Sequence, residues 1–171
     1  VIIEGNTISN AYASGIYFGE TENGVARNNI VDTVGNAGII ANNAANTTIQ
    51  DNTVLHAGSN GIQIAGIDFP TTNSLVLGNA VSNSGGQGIL IADAINTTAQ
   101  DNTVTDSGEY GIVVAVFDFE ATDTLIQGNT VSGSGFSGIL LQDATNTTVQ
   151  GNSSDYNGFD GEGGLAAGIV V

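Results

Sequence analysis

Cysteine, methionine and tryptophan are absent from this sequence, and positive charge nearly so: Arg27 is the sole Lys or Arg, set against 17 Asp and Glu, for a net charge of −16. Without cysteine there is neither a disulfide framework nor a thiolate site, a condition compatible with secretion. The lack of clustered cations argues against nucleic acid or an anionic membrane as partner, since Lys and Arg recognise both. It equally disfavours tight capture of a polyanion such as pectate or alginate, unless metal ions bridge the two. There is one proline, Pro70, and one histidine, His56. No apolar run approaches the ~20 residues of a membrane span, and no basic n-region or signal peptide opens the chain at Val1.

What the sequence has instead is repetition. A phrase typified by Gln100-Asp101-Asn102-Thr103-Val104 recurs with its asparagine at Asn6, Asn29, Asn52, Asn79, Asn102, Asn129 and Asn152, at intervals of 23, 23, 27, 23, 27 and 23 residues. The register never drifts, and two repeats carry a four-residue insertion. Three residues before the asparagine stands Ile3, Ala26, Ile49, Val76, Ala99, Ile126 or Val149; two residues after it stands Ile8, Val31, Val54, Val81, Val104, Val131 or Ser154. Nine residues after it comes a glycine followed by an alternating pair, such as Ile62 with Ile64 or Ile112 with Val114. Alternation over such short runs predicts strands with one buried face. A unit of about 23 residues cannot bury that face alone and must stack on its neighbours, which predicts a parallel β-solenoid of about seven coils. At ~4.8 Å per strand, seven coils make a rod on the order of 34 Å long. The unbroken register predicts a single domain over residues 1–171 with no capping helix in evidence.

The repeated asparagines are expected to form a structural ladder, each amide donating to and accepting from its copy in the next coil. A second polar column lies six residues earlier, at Asn23, Asn46, Asn73, Asn96, Asp123 and Asn146. A third column is glycine, at Gly35, Gly58, Gly85, Gly108, Gly135 and Gly158, and is expected to supply positive φ at a tight corner. In this order of asparagine, hydrophobic residue and Gly-Ile, the chain resembles the right-handed parallel β-helix superfamily over nearly all its length. That superfamily includes pectate lyases, polygalacturonases, mannuronan epimerases and phage tailspikes. The resemblance implies the fold; it leaves enzyme, binding module and fibre open as activities.

Several side chains stand out against this frame. The insertions bring Ile67-Asp68-Phe69-Pro70 and Phe117-Asp118-Phe119-Glu120, fifty residues apart, with Phe69 and Phe119 on one edge. They either pack over the coil end or contact a sugar ring or another subunit. On the same edge Asp68, Asp93, Asp118 and Asp143 recur every 25 residues. Such a column is either splayed into water or bridged by calcium, the one cofactor the sequence suggests. The outward position between each buried pair reads Tyr17, Ile40, Gln63, Leu90, Val113, Leu140 and Val170, six of the seven apolar or aromatic, and is expected to be an interface. Asn46, Asn96, Asn146 and Asn152 satisfy the glycosylation sequon, while coinciding with the polar columns.

Catalytic constellations are hard to find. A lyase-like base has only Arg27 to draw on, and an Asp-Pro-His-Glu set of the epimerase kind is missing because Thr71 follows Pro70. His56 has only Asp32 and Asp106 at equivalent positions in neighbouring coils, and reads as a surface histidine rather than a general base. In the last coil Gly161 keeps the spacing from Asn152, but the Gly-Ile-Val-Val phrase arrives only at Gly168, after an insertion carrying Asp160 and Glu162. Strands flush with Val1 and Val171 lead to the expectation of head-to-tail addition between copies. The first expectation is therefore a non-catalytic extracellular or cell-surface structural protein that polymerises with itself. The alternative is a module that binds or processes a polysaccharide, as a lyase, epimerase or hydrolase does.

Overall fold

The computed structural model describes residues 1–158 and 167–171. The insertion with Asp160, Gly161 and Glu162 lies outside the described residues. Among the described residues there are three parallel sheets of seven strands each, stacked coil on coil, and one short two-stranded sheet. The first begins with Ile2–Glu4 and Val25–Arg27, the second with Thr7–Ser9 and Ile30–Val34, the third with Ile16–Gly19 and Ile39–Asn42. Each strand pairs with its own copy one coil on, as in Ile89↔Ile112 and Val81↔Val104, so the sequence repeat is the stacking repeat. The result is a parallel β-solenoid of seven coils. Among the described residues no helix is long and apolar enough to cross a membrane.

The core is one column of aliphatic side chains. Ile49, Val54, Ile62 and Ile64 of the third coil, and Val76, Val81, Ile89 and Ile91 of the fourth, are fully or almost fully buried. Towards the ends the same positions are only partly buried, at Ile3, Ile8, Leu141 and Val149, because a terminal coil has a neighbour on one side only.

The asparagines do stack. Asn52 Oδ1 accepts both the backbone N–H of Asn29, at 3.0 Å, and its Nδ2, at 2.9 Å. Asn29 Nδ2 also donates to the Ile3 carbonyl at 2.9 Å. The pattern repeats through Asn79, Asn102 and Asn129 to Asn152, so that each amide closes hydrogen bonds that the bend would otherwise leave unmade.

The glycine column works differently from the expectation. Of its members only Gly158 has positive φ. At Gly58, Gly85 and Gly108 an added Cβ would lie 2.5, 2.5 and 2.4 Å from the carbonyl oxygen of the glycine one coil earlier. Close backbone approach, not left-handed φ, is what demands glycine here. Positive φ falls instead mainly on asparagines and aspartates, among them the whole second polar column from Asn23 to Asn146.

Candidate functional site

The outward face of the third sheet is not the open stripe that its composition suggests. Ile40, Leu90 and Val113 are only 5, 9 and 5% exposed. Ala65, Leu90, Ala92, Val113 and Ala115 form a second apolar cluster with Tyr110 and Leu140 packed on it, and the Tyr110 ring lies 5.1 Å from that of Phe136. The expected interface is thus largely covered by the chain itself. Leu140, Val170 and Phe119 are half-buried, and Phe69 and Tyr17 remain exposed.

Tyr17 is the exposed member with a cleft beside it, of about 320 Å³, lined by Tyr17, Gly19, Glu20, Asn42, Asn43, Ile67 and Asp68. The repeat explains how residues so far apart meet. Tyr17 and Gly19 point outward from Ile16–Gly19, and pairing sets them beside Ile40 and Asn42 of the next coil. The Tyr17 ring lies over Gly19, where a Cβ would come within 2.5 Å of it. Asn42 Oδ1 accepts from Gln63 Nε2 at 3.2 Å, and Gln63 Oε1 accepts from Asn60 Nδ2 at 3.1 Å, which holds the floor amides in place.

The first insertion supplies the rim. Asn43, with φ of 51°, turns Oδ1 onto the N–H groups of Ile67 and Asp68, at 2.7 and 3.2 Å. Its Nδ2 donates to Asp68 Oδ2 at 3.1 Å. An aromatic face, two carboxylates and fixed amides in one concavity are suited to a sugar, whose ring stacks while its hydroxyls donate and accept. Tyr17 and Asp68 stand out in the sequence, but as members of separate columns. Glu20, Asn42 and Asn43 went unread, although Glu20 and Asn43 share the corner position of Asp93 and Asp143.

The acid column does not assemble. Asp93 is buried, and its Oδ1 accepts the N–H groups of Phe117, Asp118 and Phe119 at 2.8, 3.2 and 3.1 Å. Asp68 and Asp118 lie in the inserted loops, while Asp143 is an exposed corner residue. Among the described residues no group of three or more acids, histidines or cysteines is placed to share a metal ion. The regular 25-residue spacing therefore combines a corner position in two coils with a loop position in two others.

On the second sheet His56 Nδ1 lies 2.9 Å from Asp32 Oδ1, and the Thr33 hydroxyl donates to the same oxygen at 3.0 Å. The hydrogen bond from His56, followed by that from Thr33, holds the Asp32 carboxyl below its ordinary pKa. Asp106 is not part of this pair. Arg27 is committed to Glu4 of the adjacent first-sheet strand, at 2.9 Å, which raises the pKa of the guanidinium. Of the sequon asparagines, Asn96 Nδ2 donates to Asn73 Oδ1 at 2.7 Å, Asn146 Nδ2 donates to Asp123, and Asn152 Nδ2 donates to the Ile126 carbonyl at 2.9 Å. Asn46 is exposed and accepts from Asn73 Nδ2 at 3.2 Å.

The family model described as a right handed beta helix region matches residues 1–117. A comparison of the sequence with curated proteins finds no match. Among solved structures the chain is similar to the A-module of the Azotobacter vinelandii mannuronan C-5 epimerase AlgE4, with a TM-score of 0.79 at 18% identity, over 92% of this chain and 48% of that one. It is similar to the periplasmic alginate epimerase AlgG, with a TM-score of 0.73 at 18% identity, over 87% and 39%. It is also similar to the enzymatically active domain of bacteriophage CBA120 tailspike protein 2, with a TM-score of 0.62 at 15% identity, over 99% and 25%. The chain thus spans half or less of the length of these proteins. These findings correct the first expectation: the three solved structures just described are two polysaccharide epimerases and an enzymatically active tailspike domain, so neither the self-assembling filament nor the non-enzyme reading is kept.

Proposed function

The chain belongs to the right-handed β-helix family, and from that premise we propose that it is a polysaccharide-processing module holding its glycan in the Tyr17 cleft. The observation that carries the reading is the meeting, at the edge of the third sheet, of an open tyrosine ring with Glu20, Asn42 and Asp68. Tyr17 stacks on a sugar ring, Asn42 and Asn43 fix the floor and rim, and Glu20 and Asp68 bring carboxylates to the bound unit. Cleavage of a glycosidic bond by water uses such groups: one carboxylic acid protonates the leaving oxygen, while the other, as carboxylate, either takes a proton from the water that attacks the anomeric carbon or attacks that carbon itself to form an ester that water then hydrolyses. The acidic groups of the cleft favour this chemistry over that of a lyase, whose proton abstraction beside a uronate calls for a cation to spread the developing charge. The enzymatic neighbours and the strand-face position of the cleft lend the reading further support. It carries with it an extracellular or cell-surface location, where polysaccharides are met.

Incubation with a panel of polysaccharides, followed by measurement of new reducing ends and of product size, tests the proposal. Wild type is expected to shorten at least one polymer, and Tyr17→Ala and Glu20→Gln to lose that activity. If no polymer in the panel is altered, or if Tyr17→Ala acts like wild type, the reading fails.

A further inference from the structure

The cleft also carries information about the charge of the chain it accepts, and this inference rests on the reading just given. Cationic side chains are few enough in this molecule to be followed one by one. Arg27, the sole Lys or Arg, sits on the first sheet and is held by Glu4 at 2.9 Å. His56, the sole histidine, sits on the second sheet and is held by Asp32. The cleft is built on the third sheet and its first inserted loop, and its charged residues are Glu20 and Asp68. Both are acids.

An ionised carboxylate accepts hydrogen bonds and a protonated carboxyl group also donates one, so a hydroxyl, which does both, matches Glu20 and Asp68 in either of the roles given to them above. A sugar that brings only hydroxyls satisfies them directly. A uronate brings another negative charge to within a few ångströms of both, with no arginine or lysine to offset it. Repulsion of that kind lowers affinity about tenfold or more at low salt, and the background of −16 adds to it. The floor amides are uncharged, so they do not change the sign of this balance; Asn42 Oδ1 is an acceptor already used by Gln63, and one N–H of Asn43 Nδ2 is held by Asp68.

We propose that the cleft selects uncharged glycans, such as glucans, mannans or galactans, and rejects uronate polymers. In this it parts from the mannuronan and alginate epimerases that share its coil. Uniform repulsion by the whole protein would leave cleft substitutions without effect on selectivity. Selection at the cleft makes selectivity depend on Glu20 and Asp68.

Retention on immobilised polysaccharides, in low salt and with EDTA present so that no divalent cation bridges acid to acid, tests this. The probes are β-1,3-glucan, β-1,4-mannan, dextran, alginate and polygalacturonate. At least one neutral polymer is expected to retard wild type about tenfold more than alginate or polygalacturonate does. Tyr17→Ala is expected to abolish that retardation. The double variant Glu20→Gln, Asp68→Asn is expected to narrow the neutral-to-uronate ratio severalfold, and circular dichroism checks that it keeps its sheet. Equal or stronger retardation by alginate or polygalacturonate, released by Tyr17→Ala, overturns the charge selection while leaving the cleft as a glycan site. Neutral retardation that neither Tyr17→Ala nor the double variant alters also overturns it. Retardation by none of the five sinks this inference and the Tyr17 glycan site together.

Discussion

Asn43 and Asp93 occupy the same left-handed corner of the second and fourth coils, and each turns its Oδ1 onto the backbone N–H groups of the loop inserted in the coil that follows. The two insertions are therefore not slack in the repeat. Each is seated by one side chain in the coil below, and in the first the same side chain also orients Asp68 at the cleft.

Removal of that seat has a direct cost. Asp93→Ala strips the acceptor from three N–H groups and is expected to destabilise the protein by about 2–4 kcal/mol. Asp93→Asn keeps an Oδ1 acceptor, as Asn43 does in its own loop, and is expected to cost under about 1.5 kcal/mol. Urea unfolding of both variants measures the difference. Equal losses would mean that the carboxylate charge, not the acceptor oxygen, seats the loop.

The asparagine column gives a position-dependent test. Asn79 is buried in mid-stack, accepts from both nitrogens of Asn52 and donates to Asn102 and the Ile49 carbonyl. Asn79→Ala is expected to cost about 3 kcal/mol, because several buried groups lose partners at once. Asn6 is exposed at the end of the column, and Asn6→Ala is expected to cost under about 1 kcal/mol. Similar values at both sites, in the same denaturation assay, would show that the ladder is not cooperative.

The glycine column separates two causes that a sequence leaves merged. Gly108→Ala drives a Cβ to 2.4 Å from a backbone oxygen and is expected to cost about 3 kcal/mol or more. Gly5 has φ of 67° and open space around its Cβ position, so Gly5→Ala is expected to cost only about 1 kcal/mol. Thermal melts of the two variants read the order directly.

Asp32 and His56 yield a prediction about pH. The Asp32 carboxyl is depressed in the folded protein, so its contribution to stability is present above the unfolded value of about 3.8 and is lost as pH falls through the lower, folded value. His56→Ala removes the largest cause and is expected to bring the carboxyl back up towards its ordinary value. Carboxyl carbon NMR titration of Asp32 in both proteins measures the shift. An unchanged titration would mean that Thr33, not His56, holds the carboxyl down.

Much of the fold was legible because stacking imposes the same chemistry on every coil. Asn29, Asn52 and Asn79 recur since each bend poses the same backbone problem, and Ile62, Ile89 and Ile112 recur since each coil fills the same slice of core. The less legible features depend on what lies across the surface rather than along the column. Leu90 and Val113 read as an exposed stripe because nothing local reveals that neighbouring coils and Tyr110 close over them. Asp68 and Asp93 read as one column because a 25-residue spacing cannot separate a loop position from a corner. The cleft was missed for a related reason: Tyr17, Asn43 and Asp68 belong to three coils, and only the inserted loop, folding back onto Asn43, brings the third to the first.

The most direct test of the account is a resonance-by-resonance titration of the isotopically labelled protein with a soluble neutral oligosaccharide. The account predicts saturable shifts at Tyr17, Gly19, Glu20, Asn42 and Asp68, with Asp32, His56 and Arg27 unmoved. Shifts centred on another sheet, or none at a site where the polymer is bound, would contradict it.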